Sequence, residues 1–150
     1  MKILIAMPTK AAKDPTLLLA KEYLEHSRPP FQTEAVFLSL KQEEDPKKRK
    51  ELEALALLKK TEGYYRIALS EDGPSMSSEA FSKHLAQLVS TNKVAFLIGG
   101  AFGLAPELIA QCPKKMSLSA MTLPHRLAFL LLSEQIFRAS EIWRNSSYHK

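Results

Sequence analysis

The chain has 150 residues, 45% of them apolar and 25% charged, with a formal net charge of +5. That composition is ordinary for a soluble globular protein, and the length points to one domain, residues 1–150, burying roughly 68–70% of its unfolded surface. The single cysteine, Cys112, excludes an intrachain disulfide, the apolar run Met1–Met7 is too short for a signal peptide, and no run reaches the ~20 residues of a membrane span, so the expected location is the cytoplasm.

The pattern predicts alternating strands and helices. Lys2–Met7 reads as a buried strand stopped by Pro8. Asp14-Pro15 opens a helix to about His26, with Leu17, Leu18, Tyr23 and Leu24 available to pack, and Pro29-Pro30 follows it. Glu34–Leu40 reads as a second strand. Asp45-Pro46 opens a helix to Lys60 whose Leu52, Leu55 and Leu58 recur at helical spacing. Tyr65–Ser70 is the third strand, before the turn Glu71-Asp72-Gly73-Pro74. A capping start at Ser77 leads a helix to about Ser90. Val94–Ile98 is apolar throughout and reads as a strand covered on both faces. Pro106 begins a short helix, Met116–Ala120 is the fifth strand, and Pro124–Arg144 is the longest helix. Such alternation predicts an α/β fold, a mostly parallel sheet covered by helices, with ligands beyond the carboxyl ends of its strands, where Ser70, Gly99-Gly100 and Ser119-Ala120 would face one site.

The last helix is apolar on two sides. Leu127, Leu130, Leu131 and Phe137 mark one, and Leu132, Ile136, Ala139 and Trp143 the other. One side can cover the sheet, and a symmetric dimer is the simplest cover for the second.

Chemistry concentrates toward the carboxyl end. The run Ser117–His125 is small, hydroxylic and apolar up to Thr122, and reads as a backbone-lined pocket with His125 at its lip. Upstream, Ile98-Gly99-Gly100-Ala101-Phe102-Gly103 is a second loop shaped for close backbone approach. It is not a dinucleotide fingerprint, because Ile98 occupies the first glycine position, and there is no P-loop. Phosphate-bearing cofactors are therefore disfavoured. His26, His84 and His149 have no carboxylate or cysteine at ligand spacing, so no metal is expected. Cys112 reads as a small apolar residue rather than a nucleophile.

Charge sorts into two groups. Lys47, Lys48, Arg49 and Lys50 are surrounded by Glu43, Glu44, Asp45, Glu51 and Glu53, which reads as a solvated helix face. Arg126, Arg138, Arg144, His149 and Lys150 lack such cover and are the better RNA-facing candidates. Tyr148 adds a ring on which a base could stack.

Several blocks in order then resemble a known family. They are Phe96-Leu97-Ile98-Gly99-Gly100, Gly103-Leu104, Leu118 to His125, Glu134-Gln135-Ile136-Phe137-Arg138-Ala139, and Tyr148-His149-Lys150. Together they are similar to the ribosomal RNA large subunit methyltransferase H family of the SPOUT superfamily, most strongly over residues 94–150. The resemblance implies a carboxyl-terminal trefoil knot and a homodimer. It also implies methyl transfer from S-adenosylmethionine to ring N-3 of a pseudouridine in 23S rRNA of assembled ribosomes. It places cofactor contacts at Leu69, Gly99, Gly100, Leu118, Ser119, Ala120, Met121, Thr122, Leu123 and Pro124. It puts His125, Arg138 and His149 at the catalytic side, with Arg126, Tyr148 and Lys150 toward the substrate, partly across the dimer. The chain departs from the family pattern at Met7–Lys10, His26, Ser70 and Ala101-Phe102.

The imide N-3 of pseudouridine is a poor nucleophile until it loses its proton. His125 is the candidate acceptor of that proton, while Arg138 or His149 could stabilise the charge left on the base. Three alternatives remain at this point: methylation of another RNA nucleotide, a non-catalytic ribosome-binding protein, and a flavodoxin-like nucleotide-binding domain.

Overall fold

A side-chain cap opens each of the first three helices. Asp14 accepts hydrogen bonds from the Thr16 and Leu17 N–H groups (2.8 and 3.4 Å) and starts α1 (Pro15–His26). Asp45 accepts from the Lys48 N–H at 3.0 Å and starts α2 (Pro46–Lys60), and Ser77 accepts from the Ala80 N–H at 3.1 Å and starts α3 (Ser78–Thr91). In α1 and α2 a proline follows the cap, at a position whose N–H would have no helical partner. The computed structural model describes residues 3–10 and 13–150, so the expected strand residue Lys2 lies outside the described residues.

The remaining elements are β1 (Ile3–Met7), β2 (Thr33–Phe37), β3 (Tyr65–Leu69), β4 (Val94–Leu97), α4 (Pro106–Ala110), β5 (Lys114–Met116) and α5 (His125–Trp143). All four strand pairings are parallel, in the order β2-β1-β4-β3-β5. A flavodoxin-like sheet runs 2-1-3-4-5, so the flavodoxin-like alternative is set aside. β1 and β4 are buried at every residue, because helices lie on both faces. On one face Ile3, Ile5, Phe96 and Ile67 pack with Leu17 of α1, Leu85 of α3 and Phe129, Leu132 and Ile136 of α5. On the other, Leu4, Ala6, Ala95 and Leu97 pack with Ala54 and Leu57 of α2 and Leu108 of α4.

Four expectations are corrected. β5 is not Met116–Ala120 but Lys114–Met116. It is an edge strand that pairs only with β3, and at Ser117 the chain turns to donate its N–H to the Pro74 carbonyl. The small residues that follow form a loop. In α2 the buried stripe is Glu53, Ala54 and Leu57, while Leu52 and Leu55 are exposed. Glu53 therefore does not belong to the solvated face. In α1, Leu18 is exposed and Ala20 takes its place in the core. In α5, Leu132, Ile136 and Ala139 are fully buried within this one chain, between α1 and α3. The residues left uncovered are Leu127, Leu131 and Trp143.

Candidate active site

Three loops leave the carboxyl ends of neighbouring strands and face one another. The loop after β4 is the tightest. Gly103 donates its N–H to the Gly100 carbonyl at 3.1 Å and takes φ +77°, the left-handed region that favours glycine. A Cβ on Gly99 would stand 2.5 Å from the Gly103 carbonyl carbon and 2.7 Å from the Leu104 nitrogen, so no side chain fits there. A Cβ on Gly100 would stand 2.5 Å from the Glu53 carboxylate.

The loop after β5 is held by its hydroxyls. The Ser117 hydroxyl donates to the Ser119 carbonyl at 2.7 Å, and the Ser119 hydroxyl accepts from the Met121 N–H at 3.0 Å. Thr122 donates to Glu71, in the loop after β3. That third loop is tied to the edge strand, since Ser70 donates its N–H to the Met116 carbonyl at 2.9 Å. These bonds engage the Ser117, Ser119 and Thr122 hydroxyls on the loops themselves.

Between the loops lies a cleft of about 470 Å³, within the range of small-molecule and cofactor sites. Leu69, Gly99, Gly100, Leu118, Ser119 and Met121 line it, joined by Thr122, Leu123 and His125. Of the residues expected here, Ala120 and Pro124 are exposed and do not line it. Ser70, expected at a strand end facing the site, lines the cleft as well, and residues that sequence reasoning missed include Glu71, Leu104, Ile109 and Ala128. The strand-end rule that pointed to Ser70 stopped one residue short of Glu71; Ala128 becomes visible only once the helix start at His125 is fixed.

His125 sits at the first turn of α5 and is half-buried. Burial pushes its imidazole below the ordinary histidine range, and the nearby Arg126 and Arg49 push it in the same direction. Its neutral form, with a free lone pair, is therefore favoured at neutral pH. His125 also lines a second cleft, of about 430 Å³, together with Arg126. Arg126 forms an ion pair with the α1 cap Asp14.

The remaining expected residues gather elsewhere. Glu134 is their hub: Arg138 Nη2 lies 2.7 Å from its Oε1, and the Tyr148 hydroxyl donates to the same oxygen at 3.0 Å. The Arg138 guanidinium lies 4.8 Å from the Tyr148 ring centroid. Arg138 Nη1 and His149 Nδ1 are 3.1 Å apart, and His149 Nε2 is 2.7 Å from Glu79 at the start of α3. Burial, followed by the Glu134 hydrogen bond, pushes the Tyr148 phenol up to about 12. Lys150 is exposed at the chain end. Thirteen positions separate His125 from Arg138 on one helix, about 20 Å at 1.5 Å per residue. Within a single chain the tail cluster and the cleft are therefore two places.

Among the described residues no three histidines, cysteines or carboxylates come together as a metal-ligand group, and no helix is long and apolar enough to cross a membrane. The Cys112 thiol is pushed up by burial and donates to the Leu108 carbonyl.

A family model described as "Predicted SPOUT methyltransferase" matches residues 1–149. The chain belongs to this SPOUT methyltransferase family. The resemblance read from the sequence is borne out in the relatives. The ribosomal RNA large subunit methyltransferase H of Caulobacter vibrioides is 43% identical over 67% of this chain, and the match spans 66% of that relative's length. The fold is shared with a probable methylase family protein from Haemophilus influenzae, with a TM-score of 0.63 at 13% identity, covering 99% of this chain and 70% of that one. It is also shared with Lpg2936 from Legionella pneumophila, described with bound SAM, with a TM-score of 0.50 at 10% identity, covering 92% of this chain and 67% of that one. In this SPOUT chain the expected α/β architecture is thus the observed one.

Proposed function

We propose that the cleft between the three strand-end loops binds S-adenosylmethionine, and that the protein transfers the methyl group to N-3 of a pseudouridine in 23S rRNA of assembled ribosomes. The observation that carries this reading is the meeting of the Gly99-Gly100 loop, the Leu118–Leu123 loop and a neutral-favoured imidazole at one cleft. Relatives named ribosomal RNA large subunit methyltransferase H support the same reading, and the chain matches 58–66% of their length.

The residues fit such a donor. Gly99 leaves no side chain between a ligand and the backbone, which suits close approach of an adenine edge to main-chain groups. Leu69, Ile98 and Leu118 supply apolar walls. Bound there, S-adenosylmethionine supplies an electrophilic methyl carbon. The chain's own part is placement, which alone can supply several kcal/mol. His125 takes the N-3 proton, directly or through water.

Arg138 and His149, about 20 Å away along α5, reach the same acceptor from a second copy of the chain. The proposal therefore includes a homodimer, formed over the uncovered Leu127, Leu131 and Trp143. It also includes the trefoil-knotted tail and a cytoplasmic location beside the ribosome. Ribosomes lacking the modification, incubated with methyl-labelled donor and this protein, are expected to carry label at one pseudouridine of 23S rRNA. Ribosomes that stay unlabelled overturn the proposal.

A further inference from the structure

The second cleft, of about 430 Å³, meets the first at Ala101 and His125. Its lining is cationic: Lys10, Lys41, Arg49 and Arg126 face it. It contains a single acidic residue, Glu53, whose side chain is 6% exposed. Glu53 Oε1 is buried and has no hydrogen-bond partner, and Arg49 Nε stands 4.0 Å from Oε2, beyond hydrogen-bond range. Burial pushes this carboxyl upward and Arg49 only partly offsets it. A buried acceptor left unmet is costly, and its persistence directly beneath Gly100, in the wall of the donor cleft, calls for a ligand donor.

Two features define that ligand. Several cations call for an anion such as a phosphodiester. One desolvated acceptor calls for an N–H at the far end of the same molecule. A nucleotide carries both. Its base must also reach His125, where the two clefts join. In a uracil ring attached through carbon, N-1 keeps its hydrogen while N-3 is the methyl acceptor. In uridine, N-1 is bonded to the ribose and has no hydrogen to offer.

We propose that the second cleft seats the acceptor nucleotide, with its phosphate among Lys10, Lys41 and Arg126 and the base N-1–H donating to Glu53. Glu53 is then the residue that distinguishes pseudouridine from uridine. The inference rests on the function proposed above, and the test separates the two. Wild-type protein is compared with E53Q and E53A on ribosomes whose acceptor position holds either pseudouridine or uridine. The wild type is expected to prefer pseudouridine by roughly 10- to 100-fold in kcat/KM, the worth of a hydrogen bond to a charged group. In E53A, which removes the acceptor, that preference falls toward unity, mostly through KM, while E53Q, which keeps a neutral acceptor, retains only part of it. A purely structural role for Glu53 lowers transfer to both substrates alike and keeps the ratio. A ratio that persists in E53A, or a wild type that does not discriminate, overturns this inference alone; no transfer by the wild type overturns the proposed function itself. Should the variants fail to fold, titration of the wild type with pseudouridine 5′-monophosphate and uridine 5′-monophosphate decides. Amide shifts at Glu53, Ala101 and His125 are expected at lower concentrations of the former. Equal shifts, or none at Glu53, overturn the assignment.

Discussion

At the scale of single residues, His125 and Gly99 carry the sharpest expectations. A base works in its unprotonated form, so a depressed imidazole stays competent to lower pH than an ordinary one near 6.5. Transfer is therefore expected to hold level down through pH 6.5 and to fall only below it. A rate profile with its acid inflection at or above that value removes His125 from the role. His125→Ala is expected to lower transfer by roughly 10²-fold or more while calorimetry still finds donor binding. At Gly99 an added methyl meets main chain at 2.5 Å, and main chain cannot swing aside. At Gly100 it meets the end of a glutamate side chain. Gly99→Ala is expected to weaken donor binding by at least about tenfold, and Gly100→Ala by less; equal losses in calorimetry contradict this account of the wall.

At the scale of elements, α5 is the structural keystone on the helix-rich face. Ile136 is fully buried between α1 and α3, so Ile136→Ala is expected to destabilise the fold by about 2–5 kcal/mol, read from denaturant unfolding. The strength of local signals explains what the sequence could reveal. Caps and prolines at Asp14, Asp45 and Ser77 announced their helices within a residue, and the all-apolar β4 announced a doubly covered strand. The glycine and Leu118–Leu123 loops were legible as a pocket because small residues have few other reasons to cluster. The end of β5 was not legible, since a three-residue edge strand is defined by its partner β3 rather than by its own alternation. The face of α2 was misread for a related reason. Leucine spacing marks one stripe of the helix, but which stripe faces the sheet is set by its tertiary packing on β1 and β4. Glu53 had no apolar character by which to betray its burial, although its four-residue spacing from Leu57 placed it on the same side.

At the scale of the whole molecule, the separation of cleft and tail along α5 makes oligomerisation measurable as function. If Arg138 acts from a second copy, mixing His125→Ala with Arg138→Ala subunits restores one complete site in each hybrid dimer. Random exchange then recovers about one quarter of wild-type transfer from two inactive parents. No recovery removes Arg138 of a second copy from the acceptor site. Charging the uncovered surface with Leu131→Glu is expected to yield a monomer by sedimentation and to abolish transfer together with assembly.

Of the sheet's two borders, the one at Lys114–Met116 is three residues long and carries adjacent lysines, Lys114 and Lys115. A border so brief and so positively charged offers a stray strand little to zip onto and repels its own likeness. Open-ended fibre growth along this border of the sheet is thereby disfavoured.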